Sequence, residues 1–248
     1  MANWSDPQVS VTPPGGTVGT ATGVSVDAGL RAHMLSVYNY MTSGILLTGI
    51  VALAFAWGGA DSLAYQIARG GGILRWVVML APLGLVMWLS FGINRLSEGA
   101  AKALFFAYSA LMGASLSFIF LVYTQGSIAL TFFATAAAFA SLSLYGYTTK
   151  KDLSGLGTFL IMGVVGLLVA MVANLFWQND TFSLVIAAAG VLIFAGLTAY
   201  DTQKIKSLYF QLQGSQFLGK AAIMGALELY LDFINMFLFL LRFMGNRN

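Results

Sequence analysis

The chain has 248 residues, of which 58% are hydrophobic and only 8% are charged. A soluble globular domain carries about 25% charged residues, so this composition excludes an ordinary soluble enzyme and predicts a chain that lies in lipid. Cysteine is absent and His33 is the single histidine, which excludes disulfides, thiol nucleophiles and multi-histidine zinc or haem sites. The net charge of +3 comes from short clusters between apolar segments, a pattern typical of membrane topology, and we expect no nucleic-acid partner.

Residues 1–30 hold three of the four prolines and show no periodic apolar pattern. This composition predicts a disordered N-terminal tail. The tail also lacks the basic residues that precede the apolar core of a signal peptide. We therefore place the folded domain at residues 31–248.

Seven apolar segments follow the tail, and each has close to the roughly 20 residues needed to cross a hydrocarbon core of about 30 Å. Lipid offers no hydrogen-bond partners to the backbone, and the alternation typical of a membrane β-barrel is absent, so the segments are predicted to be helices. The fold class is thus an all-α integral membrane protein with a bundle of seven transmembrane helices. The segments are 35–57, 73–93, 101–123, 128–147, 155–177, 181–203 and 221–243.

Basic residues near the segment ends indicate the orientation. With a cytoplasmic N-terminus, the inner connections hold eight of the 12 Lys and Arg residues and the outer connections hold four. The excess of basic residues on the cytoplasmic side therefore favours an N-terminus inside and a C-terminus outside.

Three acidic residues lie within or at the end of apolar segments, where an ionised side chain costs at least about 2.5–3.5 kcal/mol. Asp232 falls near the middle of the seventh segment, and Glu228 precedes it by one helical turn. At 100° per residue, Asn235 and Arg242 fall on the same side of the helix. This polar stripe must avoid lipid, which predicts that the seventh helix lies at the centre of the bundle. The alternative is that Glu228 and Asp232 are only hydrogen-bonded inside the bundle.

Asp201 is the third of these acids and ends the sixth apolar segment. The sixth and seventh helices form a hairpin, so Asp201 can approach Asp232 across it. Whether the two meet depends on how far the sixth helix continues through residues 204–210, which spacing alone leaves open. The alternative is that Asp201 is an interfacial acid at a helix end, close to Lys204.

Four strings in this order resemble the Bax-inhibitor family, also called transmembrane Bax-inhibitor-motif proteins, and in particular its bacterial members. They are RAHMLSVY at 31–38, KKDLS at 150–154, AYDTQKIK at 199–206 and LYLDFINMF at 229–237. The resemblance covers about residues 31–245.

The resemblance implies a seven-helix protein, with its seventh helix at the centre, that lets Ca²⁺ leak down its gradient in a pH-sensitive way. It implies that Asp201 and Asp232 share a proton-dependent contact that closes the cytoplasmic side of the pore. A basic residue at the inner end of the second helix acts in the family as a latch on the aspartate of the sixth helix, and Arg95 is the candidate here. Glu228 is an acid that not every member has.

The chemistry of paired carboxylates agrees with these implications. Two carboxylates within hydrogen-bonding distance repel when both are ionised, so such a pair tends to hold one shared proton. Losing that proton separates the helices, which predicts a pH-dependent gate, with low pH favouring the closed contact if the pair acts alone. Carboxylates that face water also suit Ca²⁺, so Asp201 and Asp232 are candidate Ca²⁺ contacts, with Glu228 and Asn235 as accessory contacts.

The function we expect is a Ca²⁺-permeable leak channel in an inner membrane, with no catalysis and no cofactor besides the permeant ion. One alternative is a non-transporting regulator that binds another membrane protein, such as an AAA protease. A second alternative is an intramembrane aspartyl protease, in which two aspartates activate a water. The chain lacks the Gly-x-Gly-Asp and Pro-Ala-Leu motifs of those proteases, which disfavours the second alternative.

Overall fold

The computed structural model describes residues 18–70 and 72–247, so residues 1–17 of the predicted tail lie outside the described residues. It confirms an all-α membrane protein, with seven helices long and apolar enough to cross a membrane. The one β-type pairing in the described ranges is an isolated bridge between Tyr123 and Arg247. The α-helices are α1 (Val18–Ala56), α2 (Leu63–Gly70), α3 (Ile73–Gly92), α4 (Glu98–Leu116), α5 (Ile119–Val122), α6 (Gln125–Thr148), α7 (Ser154–Trp177), α8 (Asp180–Leu212) and α9 (Leu218–Met244).

Besides the length of α8, three features of the helices differ from those expected from the sequence. Helix α1 begins at Val18, inside the segment predicted to be a disordered tail, and Leu30 on it is buried. The short helix α2, which follows α1, has too few residues to cross a membrane. The third apolar segment is divided between α4 and the single turn α5.

Helix α8 is much longer than the predicted sixth segment. It has 33 residues and continues to Leu212, so it is about 50 Å long at 1.5 Å per residue. This exceeds a hydrocarbon core of about 30 Å by several turns. Asp201 therefore lies inside a continuous helix rather than at its end, and the final turns of α8 reach past it beside α9.

Helix α9 is the most buried of the spanning helices. In its most apolar stretch 67% of the residues are buried, compared with 11% for α3 and for α7. It packs against α1, α4, α6 and α8, and its longest contact is with α8. A helix with neighbours on several sides can carry polar groups away from lipid. The expectation that α9 lies at the centre of the bundle stays a prediction.

Glycines allow the close crossings that bring the helices together. A side chain at Gly113 on α4 would come 2.6 Å from the backbone oxygen of Thr48 on α1. Gly146 on α6 packs directly on the backbone of Ala199 on α8, where a side chain would clash. Small residues permit this backbone approach between membrane helices. The second crossing fixes α6 against α8 half a turn before Asp201.

The two ends of the bundle carry different residues. The end that carries the 149–153 loop and the α8–α9 turn is called the lysine end, because Lys150, Lys151, Lys204 and Lys206 lie there. The end that carries the last turn of α9 is called the C-terminal end.

Candidate functional site

The polar stripe of α9 faces α8 at three levels. Towards the lysine end, Glu228 accepts a hydrogen bond of 2.6 Å from the ammonium group of Lys204 on α8. One turn later, Asp232 meets Asp201. Near the C-terminal end, the Nε of Arg242 donates a hydrogen bond of 2.7 Å to the hydroxyl of Ser183. Glu228, Asp232 and Arg242 therefore contact α8, and the orientation of the whole stripe stays a prediction.

The two aspartates predicted to form a pair are brought together. The carboxyl groups of Asp201 and Asp232 lie within hydrogen-bonding range of each other, and each also interacts with the charge of Glu228. The Oδ2 of Asp232 is buried and has no hydrogen-bond donor among the described residues. Two ionised carboxylates only accept hydrogen bonds, so a bond between them needs one proton. The arrangement therefore suits a pair that shares a proton.

Exposure rises in steps from this pair to the lysine end. Asp232 is only 4% exposed. The side chain of Asp201 is 13% exposed, that of Glu228 is 30% exposed and that of Lys204 is 43% exposed. The site is therefore open at the lysine end and closed at Asp232, which lies near the middle of the 27-residue helix α9.

Lys204 is the cation of the site. Its ammonium lies 2.6 Å from the Oε1 of Glu228 and 4.0 Å from the Oδ1 of Asp201. With all three acids ionised, one lysine leaves the cluster with excess negative charge, which favours retention of a proton by one carboxylate. Lys204 thus links the accessory acid to the aspartate pair.

Arg95, the candidate latch, lies elsewhere in this conformation. It belongs to a short 3-10 turn after α3, and its side chain is exposed. Within the described ranges, the ion pairs are those of Lys102 with Glu98 and of Lys204 with Asp201 and Glu228. The structure therefore does not bring Arg95 to Asp201, and its role as a latch stays a prediction.

The side chain of Asn235, the other accessory residue, forms a hydrogen bond within its own helix. Its side-chain amide donates a hydrogen bond of 2.8 Å to the backbone oxygen of Leu231. In the described residues, no group of three or more acidic, histidine or cysteine side chains is arranged to hold a metal ion. Ca²⁺ normally takes six to eight oxygen ligands. An ion at Asp201 and Asp232 would therefore need water for most of its coordination.

The loop between α6 and α7 is bound to α8 just after Asp201. The side chain of Gln203 accepts a hydrogen bond of 2.8 Å from the backbone N–H of Leu153 and donates one of 2.8 Å to the backbone oxygen of Lys151. In the same loop Asp152 accepts a hydrogen bond from Ser154, and this bond lowers the pKa of Asp152 below its usual value. These contacts hold the 149–153 loop against α8 at Gln203.

Polar contacts also join α9 to α1. The hydroxyl groups of Thr48 and Tyr230 lie 2.6 Å apart, and Thr48 donates to the backbone oxygen of Ser109 on α4. His33 is only 7% exposed, and the centre of its ring lies 5.4 Å from that of Tyr209.

The sequence did not assign Lys204 or Gln203 to the site. Both lie within the string 199–206 and within one turn of Asp201. A helical prediction extended past residue 203 would have placed Lys204 on the α9 side of α8. The sequence therefore contains both residues next to Asp201, but assigning them to the site requires knowing that α8 continues past residue 203.

The family model described as "Inhibitor of apoptosis-promoting Bax1" matches residues 30–248. The chain belongs to this family. The expected resemblance is therefore confirmed, including its extent.

Bacterial relatives cover nearly the whole chain. The inner membrane protein YbhL of Escherichia coli (strain K12) is 46% identical over 89% of this chain and 94% of its own length. The protein RP147 of Rickettsia prowazekii (strain Madrid E) is 42% identical over 92% of this chain and 95% of its own length. A protein of Caulobacter vibrioides is 44% identical over 90% of this chain and 91% of its own length.

Proposed function

We propose that the protein is a pH-sensitive Ca²⁺ leak pathway of an inner membrane, gated by the contact between Asp201 and Asp232. The observation that carries the proposal is the buried carboxyl pair between α8 and α9, open to the lysine end through Glu228 and Lys204. Ionisable side chains inside a membrane cost free energy, and those that are present mark pathways for ions or protons.

The gate works through the shared proton. While the proton is held, the two carboxyl groups attract, and α8 and α9 stay in contact along the hairpin. When it is lost, both carboxylates are negative and repel, so the helices separate and water enters from the lysine end. Ca²⁺ is the permeating ion, and the negative cluster attracts it. No cofactor or catalytic step is needed.

The orientation of the protein in the membrane follows from the distribution of its basic residues. All six lysines lie towards the lysine end, and an excess of basic residues favours the cytoplasmic side. We place the lysine end in the cytoplasm, with the N-terminus inside and the C-terminus outside. The name of the Escherichia coli relative supports an inner membrane.

The test is Ca²⁺ influx into liposomes that contain the purified full chain and an internal Ca²⁺ dye, from about pH 5 to 8. The wild type should give influx that rises with pH. Asp201→Asn and Asp232→Asn should give low influx that no longer depends on pH, because asparagine cannot lose the proton. The repulsion removed is about 1–4 kcal/mol for two unit charges about 4 Å apart, so we expect at least about a fivefold loss at high pH.

The matched control is Asp180→Asn, an exposed acid at the first turn of the same helix α8. Its influx and pH profile should equal those of the wild type. Equal effects of all three substitutions would contradict the gate assignment. No protein-dependent influx at any pH would contradict the leak and favour a regulator that binds a membrane protease or another membrane protein.

A further inference from the structure

The strongest feature outside the gate is an apolar groove between α1 and α6. Both helices pack on α9, but they make little contact with each other. Their separation leaves a cavity of about 660 Å³ in which Phe233 of α9 takes part in the lining. A volume of this size lies in the range of small-molecule sites, which is about 300–1,000 Å³.

The groove continues towards the C-terminal end. A second cavity of about 610 Å³ shares Ile45, Phe132 and Phe233 with the first, so the two meet at these side chains. The walls are almost entirely aliphatic and aromatic along both cavities. A narrow apolar groove that follows the helices across much of the membrane has the shape and chemistry of an acyl-chain site.

One cationic side chain lines the mouth of the groove at the lysine end, and a second contacts a residue of its lining. Arg31 lines the mouth and is exposed. Lys206 lies with its ammonium 5.0 Å from the ring centre of Tyr147, which also lines the mouth. In the described part of the chain neither cation is paired with a carboxylate. Together they make the mouth complementary to a negative headgroup.

Two tyrosines lie in the lining of the groove near these cationic side chains. Tyr38 and Tyr147 both line the groove on its lysine side. Tyrosine is enriched where lipid headgroups meet the hydrocarbon core, because its ring is apolar and its hydroxyl is polar. The cations, the tyrosines and the apolar walls therefore follow one another in the order of a phospholipid's headgroup, interface and acyl chain.

We propose that the α1–α6 groove binds an anionic phospholipid, with its headgroup at Arg31 and one acyl chain along Phe139 and Phe233. Guanidinium groups bind phosphate with two parallel hydrogen bonds, and basic pockets between membrane helices bind anionic headgroups. The site is separate from the gate, because its occupant contacts Phe233 rather than the carboxylates on the α8 side of α9.

The test uses native mass spectrometry of the full-length protein in detergent, titrated with phosphatidylglycerol and, separately, with phosphatidylcholine. The wild type should retain phosphatidylglycerol in preference to phosphatidylcholine. Arg31→Gln should lower this preference about fivefold, because one basic residue near a headgroup contributes on that scale. Arg75→Gln, an exposed arginine at the start of α3, should leave it unchanged.

A second pair of variants tests the acyl-chain position. Ala140 and Ala137 are both exposed on α6, but only Ala140 lines the groove. Ala140→Phe should reduce binding of both lipids several-fold by filling the groove, and Ala137→Phe should not. Because both positions are exposed, neither variant disturbs the core, and thermal unfolding measured by circular dichroism checks this.

Two results would overturn the proposal. The first is equal retention of the two lipids by the wild type with no effect of Arg31→Gln, which would mean that the groove holds only bulk lipid. The second is equal binding by Ala140→Phe and Ala137→Phe, which would place the lipid elsewhere. Neither result bears on Ca²⁺ influx, so failure here is distinguishable from failure of the proposed leak.

Discussion

The two halves of α9 differ in chemistry although they belong to one helix. The half towards the lysine end carries Glu228 and Asp232, which interact with charged groups of α8. Towards the C-terminal end, aromatic rings lie between Asp232 and Arg242: Phe233 lies 5.6 Å from Phe132 between ring centres, and Phe239 stacks on Phe194 at 5.8 Å. The acidic cluster therefore lies on the lysine side of a layer of aromatic rings, and Arg242 lies beyond that layer.

This difference assigns separate tasks to the two halves. Under the proposed function, the charged half senses protons and attracts cations, because charged groups keep water and ions near them. The aromatic half resists passage, because a hydrated ion cannot cross a packed apolar layer without losing water. Substitutions in the charged half should therefore shift the pH profile, and substitutions in the aromatic half should change the flux at every pH.

Apart from substitutions of the aspartates themselves, the largest shift of the pH profile of Ca²⁺ influx is expected from the charged residues beside the pair. Lys204→Gln removes the cation that stabilises the ionised carboxylates, so the shared proton should leave only at higher pH. Glu228→Gln removes a neighbouring negative charge and should move the flux profile to lower pH. Both side chains are partly exposed, so solvent screening keeps each shift below about one pH unit. The measurement is the midpoint of Ca²⁺ influx against pH in liposomes.

The double variant is the control for this pair. Lys204→Gln combined with Glu228→Gln removes one charge of each sign, so its midpoint should lie between those of the single variants. Shifts of the two single variants in the same direction would contradict an electrostatic effect on the aspartates. They would point instead to a change in how α8 packs on α9.

A smaller effect should come from the aromatic half. Phe233 is only 3% exposed and packs on Phe132 and Phe139. Phe233→Ala should leave a cavity in the aromatic layer and raise influx several-fold at all pH values without moving the midpoint. Phe176→Ala is the control, because Phe176 on α7 is 82% exposed. A shifted midpoint in Phe233→Ala would break the division of tasks between the two halves.

The contrast between the halves also explains what the sequence could predict. Asp232 interrupts a long apolar run, so the cost of a charge in lipid was sufficient to predict that it faces the protein. The seven spans followed from segment length in the same way. These features depend on local composition, which the sequence carries directly.

Other features depend on tertiary packing and could not be read from composition. The residues after 203 are polar enough to resemble a loop, yet they continue α8 to Leu212 because they pack beside α9. Lys204 is three residues from Asp201, but its shortest contact is with Glu228 on the neighbouring helix. The partner of a long, flexible side chain depends on which groups the tertiary structure brings near it. The spacing of residues along the sequence was therefore not sufficient to identify the partner of Lys204.

The smallest effect is expected for Arg95, and it tests whether the cation of the gate comes from α8 or from the end of α3. Lys204 lies 4.0 Å from Asp201, whereas Arg95 is exposed and makes no ion pair within the described ranges. Arg95→Gln should therefore shift the midpoint of Ca²⁺ influx much less than Lys204→Gln, by a few tenths of a pH unit at most, since screened surface charges interact weakly. Measuring both variants at low and at high salt sharpens the comparison, because the small Arg95 effect should vanish at about 1 M salt. A shift for Arg95→Gln equal to that for Lys204→Gln would instead show that Arg95 reaches Asp201 in a second conformation, and would restore it as the latch.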